Sequence, residues 1–348
     1  MKPDAVLAVA GHEMRVRLRT GRVRLLLGVW VLGLAALTAV LWHSVNDVNE
    51  LHQRGVTVFG GLMIMLLALS LMIAPTLAAQ SVNGDRERGV LAVLQVTLLT
   101  PAEIALGKLL AAWGTALVFL ALAVPIAAST LFMGGVGVGR LAASILVVAV
   151  LVGVVCAVAQ CWSALVARTN TSSVMSYFSV FALTIGTLVV FSLALTTTRG
   201  EHVVTDQPSA LDQLQALDAD PTGGTATPAT TVESGVRPEK VWWLLAPNPF
   251  VILADAAPQK HKPISIDVNA TENDAGVSFD PLGAIARAVR DSRDPNNHID
   301  PLADRKGQSP VWPYGLAFDA LLGLGAITIT IRRLRTPVKR LPRGVRLA

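Results

Sequence analysis

The residue types that most often carry chemistry are few in this chain, and their spacing does not indicate a catalytic or metal site. The six histidines lack the short spacings that bring ligands to one metal ion: His12, His43, His52, His202, His261 and His298. No Ser/His/Asp or Cys/His arrangement stands out. Cys156 and Cys161 lie in an apolar stretch and point to different sides of a helix, so we expect two buried side chains and no disulfide. The sequence predicts no catalytic residue, no metal site and no cofactor.

Two glycine-containing strings raise the question of nucleotide binding, and neither has the required pattern. Gly107-Lys108 lacks the upstream glycine and the following Ser or Thr of a P-loop. The run 134–139, GGVGVG, joins two apolar stretches, where a turn is the better interpretation. We therefore do not expect ATP hydrolysis by this chain.

The composition points to the lipid bilayer. Of the 348 residues, 52% are hydrophobic and 15% charged, whereas soluble domains carry about 25% charged residues. Apolar stretches near the roughly 20 residues that cross a bilayer as a helix predict six spans: 25–42, 57–79, 109–133, 141–167, 174–197 and 312–331. The first stretch exceeds the apolar core of a signal peptide, so we expect it to be retained.

Charged residues set the predicted topology. Residues 1–24 hold six basic and two acidic residues, and residues 332–348 hold seven basic residues and no acidic ones. Lys and Arg next to spans are retained on the cytoplasmic side, so six spans leave both termini in the cytoplasm, and we expect the plasma membrane. A nucleic-acid partner is not expected, because these basic ends adjoin membrane spans.

Three regions follow from this topology. Residues 1–198 hold spans 1 to 5 and a cytoplasmic linker at 80–108, and residues 312–348 hold span 6 and a basic tail. Residues 199–311 form a long external loop or small domain, partly flexible, with a Thr/Ala/Pro run up to Thr231. Its apolar centre, 241–253, is too short to span the membrane. It either dips into the outer leaflet or is buried in a small external domain.

The linker 80–108 contains signals for two helices. Asn83 and Asp85 can cap the first, and an apolar stripe over 90–98 follows at helical spacing. Thr100-Pro101, with Glu103 three residues after the threonine, predicts a capping box that starts a second helix running into the third span. We expect a rigid connection from the first helix to the membrane bundle.

One acidic residue, Asp319, lies inside the last span. Charges at that depth are costly, so they tend to face a cavity or a partner. We expect Asp319 either in a transport pathway or interface, or at a shallow position that water reaches.

The order of motifs in the linker resembles the cytoplasmic loop of ABC-2 type transporter permeases. The motifs are Asp85-Arg86-Glu87-Arg88-Gly89-Val90-Leu91, Thr97, Thr100-Pro101 and Glu103-Ile104-Ala105-Leu106-Gly107-Lys108. The six spans, the cytoplasmic ends and Ala246-Pro247-Asn248-Pro249 before the last span extend the resemblance. Two features depart from it: Leu98 stands where the family often has Pro, and the external loop is longer than usual.

The resemblance implies an all-α polytopic membrane protein of six transmembrane helices, with a cytoplasmic amphipathic coupling helix at 85–98 and a long external loop between spans 5 and 6. It implies an exporter permease that pairs with a second permease subunit and with a cytoplasmic ATP-binding subunit. The residues implied to dock that subunit are Asp85, Arg86, Glu87, Arg88, Gly89, Val90, Leu91 and Leu94.

Two alternatives stay open. The 85–98 segment has the charged face and apolar stripe that an ordinary interfacial helix lying on lipid also needs. The whole chain could equally be a non-transporting membrane protein whose external 199–311 region binds or senses an extracellular partner. A neighbouring gene for a soluble ATPase would favour the exporter.

Overall fold

The structure is a computed structural model that describes residues 3–44, 51–89, 99–206, 229–257, 280–293 and 309–335. Within these ranges, six helical segments are long and apolar enough to cross a membrane: Val23–Ser44, Gly55–Glu87, Pro101–Met133, Val138–Leu165, Thr169–Thr197 and Trp312–Arg335. The predicted number of spans and the predicted all-α membrane fold are confirmed.

Eleven α-helices make up most of the described chain. They are α1 (Pro3–Arg19), α2 (Gly21–Ser44), α3 (Leu51–Ala78), α4 (Asn83–Glu87), α5 (Pro101–Ser129), α6 (Val138–Leu165), α7 (Thr169–Phe181), α8 (Thr187–Thr197), α9 (Pro249–Ala256), α10 (Pro281–Asp291) and α11 (Trp312–Arg335). A π-helical turn, Ala182–Gly186, joins α7 to α8, so these three pieces form one long fifth span.

The core lies between α3, α5 and α6, with α2 packed on one side. Trp30 of α2 donates its indole N–H to the carbonyl of Phe119 at 3.0 Å, and the two rings meet edge to face. Large apolar side chains of α3, such as Phe59 and Leu67, are fully buried there. Wholly apolar helices of this kind give few sequence clues about which face packs inward.

The fifth span packs loosely against the rest of the chain. None of the residues 177–197 is buried, and apolar side chains such as Phe178, Leu188 and Leu193 are exposed. A helix that is apolar all round and unburied within one chain needs lipid or another protein around it. The outer faces of α2 and α11 are exposed in the same way.

The chain between the fifth and sixth spans contains more ordered structure than the sequence predicted. Strands β1 (Arg199–Asp206) and β2 (Ala229–Val236) pair antiparallel, with Val203 opposite Val232. Residues 229–231, at the end of the stretch expected to be flexible, belong to this ladder. Short 3₁₀ turns at Pro238–Lys240 and Trp242–Leu244 lead to α9.

Helices α9 and α10 pack into the bundle as part of its core. Ile252, Leu253 and Ala254 are completely buried and join the same apolar cluster as α3, α5 and α6. We name residues 241–257 together with α10 the cap segment. It contacts α3, α6, α11 and the π-helical turn.

One ion pair, at the residue before α10, fastens the cap segment to α6, and a second joins its own helices α9 and α10. Arg140, at the start of α6, pairs with Asp280 at 3.1 Å and also donates to the carbonyl of Ala257 at 3.0 Å. Arg290 of α10 pairs with Asp255 of α9 at 2.5 Å, and the Asp255 side chain is completely buried. Buried charges of this kind are tolerated only when paired and hydrogen-bonded. The cap segment is therefore fixed to the body by specific polar contacts.

Candidate functional site

The short helix α4 lies at the end of the bundle opposite the cap segment, and it is fixed to α6. The hydroxyl of Ser163 accepts hydrogen bonds from the backbone N–H groups of Val82 and Asn83, at 3.0 and 3.1 Å. The same hydroxyl donates to Oδ1 of Asn83 at 2.8 Å. The prediction that Asn83 or Asp85 caps this helix is wrong, since α4 begins at Asn83 with no side-chain cap.

A buried lysine joins α4 to two other helices. The side chain of Lys108, near the start of α5, is only 1% exposed, and its ammonium contacts both Asp85 of α4 and Glu13 of α1. The Lys108–Glu13 distance is 2.5 Å. Two carboxylates around one ammonium supply the pairing that a buried charge requires. These three residues therefore place α1, α4 and α5 in a fixed arrangement.

Arg17 extends this cluster to the end of α3. Arg17 of α1 pairs with Glu13 at 3.2 Å and donates to the backbone carbonyl of Leu77 at 2.8 Å. Helix α1 packs along α5, and Gly107 allows the close approach, because a Cβ there would lie 2.8 Å from side-chain atoms of Val9. We name Glu13, Arg17, Asp85 and Lys108 the charge cluster.

The start of α5 has the predicted cap. The side chain of Thr100 accepts from the Glu103 N–H at 3.3 Å, and the Glu103 carboxylate accepts from the Thr100 N–H at 2.8 Å. This reciprocal pair is a capping box, with Pro101 in the first turn. The helix that begins here carries Lys108 two turns later, so the cap and the charge cluster lie on one rigid element.

The remaining described residues of the predicted docking segment face outward. Glu87 and Arg88 are exposed and Arg86 is half-buried. Arg88 pairs with Asp85 at 3.1 Å. Glu87 accepts a hydrogen bond from the N–H of Thr169, at the start of the fifth span, at 3.4 Å. A carboxylate at a helix N-terminus is favoured by the unpaired N–H groups there.

The predicted helix over 85–98 is interrupted near its start. Helix α4 ends at Glu87, and Gly89 has φ +74°, a left-handed conformation that ends a helix and suits glycine. Val90, Leu91 and Leu94 lie outside the described residues, so their predicted docking role stays a prediction. The structure brings Asp85 and Arg88 together, whereas it places Glu87 against the fifth span.

Asp319 lies on the inner face of α11 and is 1% exposed. Gly315, one turn before it, packs so closely on the cap segment that a Cβ would overlap the Ala246 carbonyl. Gly323, one turn after it, lies against Val154 of α6. Within the described ranges, Oδ1 of Asp319 has no hydrogen-bond partner. Asp319 therefore lies inside the protomer's own bundle.

Sequence reasoning missed two parts of this site. Residues 3–19 form a separate helix, and its Val6 and Ala10 are buried. From the sequence, the basic residues of this segment indicated only the orientation of the chain in the membrane. Lys108 closes the motif Glu103–Lys108, and a lysine at the end of a membrane span usually extends to the interface, so the sequence gives no sign that this lysine is buried. Which acids pair with Lys108 depends on tertiary contacts that the sequence does not display.

Comparison with known proteins agrees with this arrangement. The family model described as "ABC-2 family transporter protein" matches residues 36–209, half of the chain. This range begins inside the first span and includes the second to fifth spans, α4 and Lys108. No curated protein sequence matches the chain. The six-helix membrane fold and the extent of the match together show that the chain belongs to the ABC-2 transporter family, as a multi-pass membrane permease component of an ABC-type transporter.

Proposed function

We propose that this chain is the permease subunit of an ATP-driven exporter, and that two such subunits form the translocation pathway. ATP is hydrolysed by a separate cytoplasmic subunit, which docks on the segment 85–98. Both termini of the permease then lie in the cytoplasm of a cell whose plasma membrane it spans. The basic residues at both ends of the chain support this orientation.

The observation that carries the proposal is the charge cluster beneath the docking segment. A subunit that binds beside Glu87 and Arg88 moves α4, and α4 cannot move without α5, because Asp85 holds the buried ammonium of Lys108. Glu13 passes the same displacement to α1. A push at the membrane surface therefore reaches α1 and the third span through charged contacts of low exposure.

The fifth span receives the displacement by a different contact. Glu87 accepts from the N–H of Thr169, and one turn further the hydroxyl of Ser172 donates to the carbonyl of Ala79 at 2.7 Å. Since the fifth span has little other burial, these contacts at its cytoplasmic end are well placed to tilt it.

Pairing with a second copy is supported by the exposed apolar surface. No residue of 177–197 in the fifth span is buried, and exposed side chains include Phe178, Phe181 and Leu188. A single bundle also offers little room for a sealed pathway. Asp319, buried inside one protomer, is proposed as a residue of the bundle interior rather than of the subunit interface.

The docking role is tested by charge reversal and by loss of the apolar anchor. We expect Glu87→Lys or Leu94→Asp to leave the permease inserted but to abolish co-purification of the ATPase, because losing a buried partner charge or anchor costs about 2–5 kcal/mol of association. The matched control is Asp4→Lys, which reverses an exposed charge on α1 and should change association by less than about 1 kcal/mol.

A further variant separates docking from the contact with Thr169. Glu87→Gln keeps an oxygen that can accept from the Thr169 N–H but removes the charge. Weakened ATPase association in Glu87→Gln supports docking through the charge. Full association and full ATPase stimulation in Glu87→Lys and Leu94→Asp together would refute the docking role of this segment.

A further inference from the structure

Asn248 uses its side chain to join two different elements. Its Oδ1 accepts from the N–H of Phe250 at 2.9 Å and so caps α9. Its Nδ2 donates to the carbonyl of Thr184 at 2.7 Å and to the hydroxyl of Thr187 at 2.9 Å. The orientation of the amide is fixed by these partners, since an N–H only donates and a carbonyl only accepts. Asn248 is 1% exposed.

The two acceptors on the fifth span belong to its π-helical turn and the residue that follows it. The turn covers Ala182–Gly186. π-helical turns interrupt the regular helix ladder and occur frequently at functional sites. The Asn248 amide therefore binds the fifth span at its least regular point.

Beyond this point the polar groups of the fifth span bond within their own helix. The hydroxyls of Ser192 and Thr196 donate to the carbonyls of Leu188 and Leu193. Phe191 adds apolar contact with the cap segment. Among the residues that the structure describes, the contact of Asn248 with Thr184 and Thr187 is thus the polar connection between the outer half of the fifth span and the cap segment.

The cap segment itself is held rigidly on its other side. Asp255 accepts from the backbone N–H groups of Val311 and Trp312, at 2.6 and 2.8 Å, in addition to its ion pair with Arg290. These contacts fix α9 to the start of α11. A relative movement between the cap segment and the fifth span therefore has to break the Asn248 contact rather than the Asp255 contacts.

We propose that Asn248 is the closing contact of an outer gate, holding the π-helical turn of the fifth span against the cap segment between transport cycles. Asn248 is a positioning residue on this proposal, which rests on the proposed transport function. Tilting of the fifth span from its cytoplasmic end releases Thr184 and Thr187 from the amide, and the cap segment and the fifth span separate.

The test separates this role from simple helix capping. Serine caps helices about as well as asparagine, but it lacks the amide N–H groups that reach Thr184 and Thr187. Asn248→Ser therefore keeps the cap of α9 and removes the contact with the fifth span. Thr187→Val removes one of the two acceptors from the opposite side. Ser192→Ala, on the same helix and remote from Asn248, is the matched control.

The readout is the rate at which a membrane-impermeant maleimide added outside labels Val251→Cys, with both native cysteines replaced. Val251 of α9 is 4% exposed and lies in the apolar cluster that Phe191 of the fifth span contacts. We expect Asn248→Ser to raise the rate on the order of tenfold and Thr187→Val about threefold, from the usual net value of one or two hydrogen bonds. Ser192→Ala should match the parent protein.

A second arm uses the permease together with its ATPase. In the parent protein ATP turnover should raise labelling, whereas labelling of Asn248→Ser should already be high without ATP, which a mere cap would not produce. Equal labelling of Asn248→Ser and the parent without ATP would overturn the gate contact. Fast labelling of Asn248→Ser without any ATP effect in the parent would support the contact and contradict ATP-driven transport instead.

Discussion

At the scale of single residues, Lys108 is the buried cation on which the arrangement of α1, α4 and α5 depends. Its ammonium has Glu13 and Asp85 as partners, whose side chains are 22% and 14% exposed. An isolated charge at 1% exposure would be strongly disfavoured. Each partner therefore matters to the stability of the other two residues, although they come from three separate helices.

Replacing the Lys108 cation should lower the stability of the folded permease, and the loss should depend on whether Glu13 and Asp85 keep their charges. We expect Lys108→Met to destabilise the folded permease by about 3 kcal/mol, at the lower end for a broken buried ion pair, because Glu13 and Asp85 lose the ammonium that they share but keep Arg17 and Arg88 as partners. Adding Glu13→Gln and Asp85→Asn should restore part of the loss. Thermal unfolding in detergent measures both effects, with Lys240→Met at an exposed lysine as control. Equal melting temperatures of Lys108→Met and the control would contradict the buried network.

Contacts between residues close in the sequence could be predicted, whereas contacts between residues far apart in the sequence could not. The capping box of Thr100 and Glu103 was predicted, because both partners lie three residues apart. The partners of Lys108 are 95 and 23 positions away, and no local rule selects them. Asn248-Pro249 signals a helix start, but its second set of contacts, with Thr184 and Thr187, lies some 60 residues away.

At the scale of elements, the docking of α1 on α5 depends on a close approach at Gly107. Alanine normally stabilises a helix by about 1 kcal/mol over glycine. At position 107, however, a Cβ would lie 2.8 Å from Val9 Cβ and 3.3 Å from the carbonyl of Val6. At Gly114 the nearest atom is the flexible Met14 sulfur at 3.0 Å. The two glycines therefore form a matched pair for substitution.

We expect Gly107→Ala to loosen α1 from α5, and Gly114→Ala to be neutral or slightly stabilising. Hydrogen exchange of the backbone amides of residues 3–19 measures this directly, because a detached α1 exchanges faster. The change at 107 should cancel the helix-propensity gain and cost a further 1–3 kcal/mol, roughly as for other overpacked sites. Slower exchange of α1 in Gly107→Ala than in Gly114→Ala would show that the approach is not close.

The number and approximate positions of the spans followed from hydropathy, whereas some ends differ by up to eight residues, as for Gly55–Glu87 against the predicted 57–79. Six apolar stretches gave six membrane helices, since any span must satisfy its backbone internally. The end of α4 at Glu87 and the π-helical turn were not predicted. A single glycine such as Gly89 is compatible with a helix, and only its φ of +74° shows that the helix ends there. The π-helical turn at 182–186 has no established sequence signal.

At the scale of the whole molecule, polar contacts of low exposure are found at both ends of the bundle. The charge cluster holds α1, α4 and α5 at one end. The ion pair of Arg140 and the hydrogen bonds of Asp255 with the start of α11 hold the cap segment at the other. The fifth span contacts both ends, through Glu87 and through Asn248. This arrangement gives a mechanical route from docking segment to cap segment only if the two ends face opposite sides of the membrane.

The last prediction tests that topology. In a background with Cys156 and Cys161 replaced, we expect cysteines at Glu87 and Arg340 to react with an impermeant maleimide only after the membrane is opened. A cysteine at Thr225 should react in intact cells, because six spans and the positive-inside rule leave residues 199–311 outside. Cys156 and Cys161 are themselves buried, so the wild-type chain serves as the unlabelled control. Labelling of Thr225→Cys only in opened cells would reverse the orientation, place the Asn248 contact on the cytoplasmic side, and remove the docking segment from the reach of a cytoplasmic ATPase.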